Sequence, residues 1–207
     1  MASKKKKPVV AKKKPAAARK PALKKKPVVV PKPASYDFSG PHPQFTAFTK
    51  QFKPGRYADG LLLVTPPGAL DAELAPWLVN RMSGRVSLGR TAFGEFLVFR
   101  DLRERALLNG DAEPEVACDF VVVDIHTKQM KVLAHSLEAL VGFVDDASWQ
   151  TDFLRKALYD QVKSKLGACA DDECYGFVPA LVLGGAEAPG FVARQKWREH
   201  QAMLLQT

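Results

Sequence analysis

The first 35 residues limit what this chain can fold into. They hold 12 Lys and Arg19, six prolines, no acidic side chain and no aromatic one. The lysines repel one another, and the prolines interrupt any helix. Such a segment cannot bury enough surface to offset its ordering entropy, so a disordered, partly polyproline-like tail is expected over 1–35. At ~3.1 Å per residue it would reach roughly 100 Å when extended. The fold must come from residues 36–207. They keep only 18 of the 31 basic side chains but all 22 acidic ones, a net charge of −4. A mildly acidic body thus carries a strongly basic tail, and the two need separate readings.

The tail is a degenerate repeat. Lys4, Lys5, Lys6 and Lys7, then Lys12, Lys13 and Lys14, then Lys24, Lys25 and Lys26, each run into a proline and small apolar residues, with Arg19 between. These are the candidate nucleic-acid contacts, acting on DNA or RNA by counterion release. The composition resembles the tails of linker histones and histone-like bacterial proteins. No stacking group is present, so base-specific readout is not expected. The bland alternative is a solubilising extension.

In the body, Cys118, Cys169 and Cys174 cannot all pair, which argues for a reducing, cytoplasmic setting. No apolar run is long enough for a membrane span, and no h-region follows the basic start. The periodicity predicts a short helix over 44–52, a strand over 60–64, helical structure over 71–82 in which Pro76 either opens a second part or makes a kink, and a strand over 94–100. A central strand over 120–125 turns at 126–128 into a hairpin partner over 130–134. Ser136 is expected to cap a helix to Val144, and Ser148 the longest helix, ending at Gly167. An apolar segment over 175–183 and a closing helix over 195–205 complete an α+β fold, with a mainly antiparallel sheet covered by helices.

A search for chemistry finds little. No nucleophile elbow, zinc-protease helix or phosphate loop occurs. Cys169 and Cys174 bracket three acids, which read as reduced thiols near a helix end, not as a metal site. His126 at a turn is expected to be solvated. Asp119 and Asp124 fall on opposite faces of one strand. Glu95, beside Gly94, is the one lone acid to watch; it reads as an edge or turn carboxylate unless it is buried in a pocket. Trp77, Trp149 and Trp197 read as helix-packing residues. No cofactor or metal is implied.

One stretch is recognisable. Asp171-Asp172-Glu173-Cys174-Tyr175-Gly176-Phe177-Val178-Pro179-Ala180-Leu181-Val182-Leu183-Gly184-Gly185 resembles the signature of the type VI secretion immunity protein C-terminal domain family, which commonly follows a GAD-like domain. Arg90 to Asp101, with Gly94 and Glu95, resembles that family's aromatic-Gly-acid strand. Lys196 to His200 is similar to its closing helix, and Tyr57-Ala58-Asp59-Gly60 to the GAD-like element. The motif residues are thus Asp59, Gly60, Gly94, Glu95, Glu173, Tyr175, Gly176, Phe177, Pro179, Gly184, Gly185 and His200, read as architectural. On this division 36–85 is a partial GAD-like part and 86–207 the immunity-like part of a single domain.

The resemblance implies a non-enzymatic antidote that binds a toxic effector, such as a DNase. An acidic body would suit a basic partner, with Asp171 and Asp172 as candidate contacts. The alternative is an adaptor held on DNA or RNA by its tail. A third reading, an enzyme with an unfamiliar site, would need a buried Glu95 in a pocket. No membrane partner is expected.

Overall fold

The computed structural model describes residues 40–207. The tail, with its candidate contacts from Lys4 to Lys26, lies outside the described residues. No helix among the described residues is long and apolar enough to cross a membrane.

Six strands form one antiparallel sheet in chain order: β1 (Gly55–Tyr57), β2 (Leu62–Val64), β3 (Arg85–Thr91), β4 (Phe96–Asp101), β5 (Cys118–Asp124) and β6 (Gln129–Ala134). Two more, β7 (Glu173–Phe177) and β8 (Val192–Lys196), form a separate antiparallel pair. The pair is tied to the end of β3 by the Tyr175 N–H, which donates to the Ala92 carbonyl at 2.9 Å. Among the described residues seven helices accompany the strands: α1 (Pro43–Gln51), α2 (Asp71–Leu74), α3 (Arg103–Asn109), α4 (Leu137–Val144), α5 (Ala147–Leu154), α6 (Lys156–Leu166) and α7 (Trp197–Leu205). The fold is α+β, with the sheet covered on both faces.

The period-2 alternation of the central strands builds two cores. Leu97 and Phe99 of β4, with Phe120 and Val122 of β5, face α1, α4, α5 and α6. Phe96 and Val98, with Val121 and Val123, face α2 and α7, whose first residue is Trp197. Phe96, Phe99 and Phe120 are fully enclosed, each contributing roughly 1.5–3 kcal/mol relative to exposure.

The structure corrects four expectations. The helix over 71–82 stops short: Pro76 does open a second part after α2, but that part is a single 3₁₀ turn at Ala75–Leu78, and Val79 turns left-handed at φ 52°. The long helix after Ser148 is two helices. Asp146 caps α5 by accepting from the Trp149 N–H at 2.7 Å, and Arg155 breaks the path at φ 57° before α6 begins. The apolar stripe continues across the break, so periodicity alone could not reveal it. Strands β3 and β8 were not expected: β3 reads Arg-Val-Ser-Leu-Gly-Arg-Thr, and β8 is mostly polar. His126 is fully buried instead of solvated, its Nε2 lying 2.9 Å from the Phe93 carbonyl.

Candidate functional site

The break at Arg155 aims its guanidinium into the body of the protein, with the side chain only 9% exposed. One nitrogen pairs with Glu95 and another with Asp124 at 2.9 Å. Glu187 closes the cluster, taking the Arg155 Nη2 at 2.9 Å and Nε at 3.1 Å. Glu95 also accepts from the Thr91 hydroxyl at 2.7 Å. Asp124 accepts from the His126 and Thr127 N–H groups at 2.9 and 3.1 Å, with the Lys131 ammonium 3.4 Å away. The guanidinium lies over the rings of Phe93 and Phe177, about 6 Å from each centroid.

This geometry sets the charges. Burial pushes the Glu95 carboxyl up, against the pull of the Arg155 guanidinium. Asp124 is held well below the usual carboxylate range: Arg155 and the two backbone donors outweigh its burial. Burial lowers His126 to about 4, so it is neutral near pH 7. The His126 and His200 rings are 5.5 Å apart, and the Nδ1 of His126 and the Nε2 of His200 make no hydrogen bond among the described residues. Glu95 is therefore buried and not at an edge, but its oxygens are taken by Arg155 and Thr91. A carboxylate so occupied is a poor general base.

Through Glu187 the hub holds the β7–β8 connection, residues 178–191. The loop is closed on itself. The Val178 N–H donates to Phe191 at 2.7 Å, and the Gly185 N–H donates to Ala180 at 3.0 Å. A Cβ on Gly185 would lie 2.0 Å from the Pro179 carbonyl oxygen, so no side chain fits there. The Val178–Pro179 peptide is cis. So fixed, the loop leaves Val178, Val182, Leu183 and Phe191 exposed.

The other motif residues also meet at close approaches. Gly94 adopts φ 87° and accepts from the Trp197 indole N–H at 2.9 Å; a Cβ there would touch that ring at 2.8 Å. His200 fills the space beside Gly176, 2.6 Å from where a Cβ would be. Tyr175 donates to the Gly167 carbonyl at 2.5 Å, and Phe177 stacks on Phe93 at 5.8 Å. Asp59 turns at φ 56°, and its carbonyl accepts from the Tyr159 hydroxyl, which also crowds Gly60. Gly184 turns at φ 89° after the 3₁₀ turn Leu181–Leu183. Glu173 accepts from the Ala170 N–H at 3.1 Å. Asp171 and Asp172 line a groove of about 380 Å³ beside Trp197, where Arg56 and Lys196 pair with them, each at 2.7 Å. The three cysteines are free and buried.

Arg155 and Glu187 were missed from sequence. A signal was available: Asp124, in a strand otherwise apolar on both faces, would be a buried charge and requires a cation. Nothing local marked which of the 18 body cations it would be.

Arg155, Glu187, the loop and the closing helix all fall within one continuous stretch. Residues 134–207 match the family T6SS immunity protein Tdi1, C-terminal. The matching segment covers α4 to α7 and the β7–β8 pair, and it meets β4 and β5 at the hub. Among solved structures, the crystal structure of Atu4351 from Agrobacterium tumefaciens is similar with a TM-score of 0.55, covering 79% of this chain and 74% of that one. Identity is 15%, so the likeness shows a shared fold. No curated protein sequence matches.

Proposed function

We propose that this protein is an immunity protein, a non-catalytic partner that neutralises a toxic effector by binding it. The observation that carries the reading is the family match over 134–207, which takes in the Arg155–Glu187 side of the hub. The chemistry of the hub supports it: Glu95 and Asp124, the acids most suited to catalysis by burial, are tied by Arg155 into a rigid joint. The motif glycines, His200, Tyr175 and Phe177 are read as framework. Residues 36–85 and 86–207 are read as parts of one domain. The net charge of −4 on the body suits a basic effector such as a nuclease, whose substrate groove is positive. The basic tail is read as an accessory that adds non-specific affinity for DNA or RNA.

A survival assay tests this. Candidate effector genes are induced in a sensitive host with the full chain, with residues 36–207, or with neither. Rescue by both forms is the expected result and leaves the tail accessory. Rescue by neither, across all candidates, overturns the immunity reading and favours the tail-borne adaptor.

A further inference from the structure

Between β4 and β5 the chain leaves the sheet as a finger. Its base is closed where the Leu102 N–H donates to the Ala117 carbonyl at 3.0 Å. The His42 ring nitrogen sits 3.2 Å from that same oxygen. Arg103 forks onto Asp101 at 2.7 Å and donates to the carbonyls of Gly40 and Pro41. Ala106 is buried beneath the finger, and Gly110 at φ 75° ends α3. The base is thus fixed by hydrogen bonds on both sides.

The tip is built differently. Leu107 and Leu108 stand out at 66% and 84% exposure. Adjacent leucines so placed add nothing to the core and cost solubility. Around them lie Glu104, Asp111, Glu113 and Glu115, all exposed, and none enters an ion pair among the described residues. Arg105 is the one cation in 104–115, so the tip is net negative by three charges. Asp171 and Asp172, by contrast, already have cations of their own. The finger also lies outside the segment that matches the immunity family.

We infer that the finger at 102–117 docks a basic protein, with Leu107 and Leu108 entering an apolar pocket and the four acids meeting its cationic rim. Resting on the immunity reading, the occupant is the toxic effector, met on its positively charged, nucleic-acid-facing side. An apolar anchor desolvated in a partner's pocket supplies affinity, and the charges around it set orientation and on-rate.

The test uses the full chain and the effector it protects against, inactivated so that it can be purified. L107S/L108S should weaken binding by ~100-fold or more, and D111N/E113Q/E115Q by ~10-fold with a flatter salt dependence. Unchanged melting temperatures would show that both variants fold. V182S/L183S, on the 178–191 loop, should bind as wild type. If the leucine variant binds normally, or only the loop variant fails, the inference is overturned while the immunity reading stands. Should the wild type rescue no host, that reading falls first. A cationic amphipathic Lys/Leu peptide then serves as probe, with backbone amide shifts as readout. Shifts confined to 104–115 support the docking surface; shifts elsewhere, or none, overturn it.

Discussion

The loop at 178–191 and the finger at 102–117 both carry apolar side chains into solvent, but they are anchored by different means. The loop is held through Glu187 to a buried guanidinium, and a backbone carbonyl fills the place of a side chain at Gly185. The finger is held at its base by hydrogen bonds to backbone carbonyls, and nothing lies within 4 Å of a Cβ at Gly110. Changes in the loop should therefore reach the core, whereas changes in the finger tip should stay local. Rigid joints of the first kind belong to a scaffold; open tips of the second kind suit recognition.

Four measurements would break or sharpen that contrast. The largest effect is expected from Arg155→Met. It leaves Glu95 and Asp124 buried without their cation, which costs about 3–5 kcal/mol of stability in denaturant unfolding. Adding E95Q and D124N should restore part of that loss; no recovery would mean the ion pairs are not its source. A comparable or slightly smaller loss, about 3 kcal/mol, is expected on acidification. His126 is neutral in the fold, with its pKa lowered to about 4 from 6.5. The unfolded chain takes up the proton first, so the stabilisation is whole above pH ~6.5 and drains away toward pH 4. Burial lowers His42 and His200 in the same direction, while Glu95, raised by burial, works against them. Melting temperatures recorded from pH 7.5 to 4.5 should fall, and more shallowly in H126Q.

Next comes a pair of glycines. Gly185→Ala should cost about 2–3 kcal/mol, because the Pro179 carbonyl must move. Gly110→Ala should cost only about 1 kcal/mol, the strain of a positive φ in open space. Equal losses would erase the contrast. The smallest effect belongs to Leu108→Ser, which should change stability by less than about 0.5 kcal/mol.

What could be read from the sequence depended on how far away the partner lay. The hairpin of β5 and β6 and the helix capped by Ser136 were legible, because alternation and capping act between near neighbours. The Ser136 side chain accepts from Ala139, three residues on. Strand β3 was not legible: its polar residues are buried by what lies beside them, as when Arg90 donates to the carbonyls of Asp171 and Glu173. Arg155 was hidden for the same reason. Its partners lie 60, 31 and 32 positions away, and a helical stripe carries no trace of a single left-handed residue. The motif glycines were visible as motifs, but the ring or carbonyl pressed against Gly60, Gly94, Gly176 and Gly185 came only with the fold.

The hydrogen bond between Leu102 and Ala117 has one more consequence. It fixes the spacing of the two strand ends without reference to what lies between them. Residues 107–115, beyond Arg103 and the buried Ala106 that anchor the base, are therefore an exchangeable cassette: their length and side chains can change while β4 and β5 keep their register. Sequence change confined to this insert therefore leaves the framework beneath it untouched.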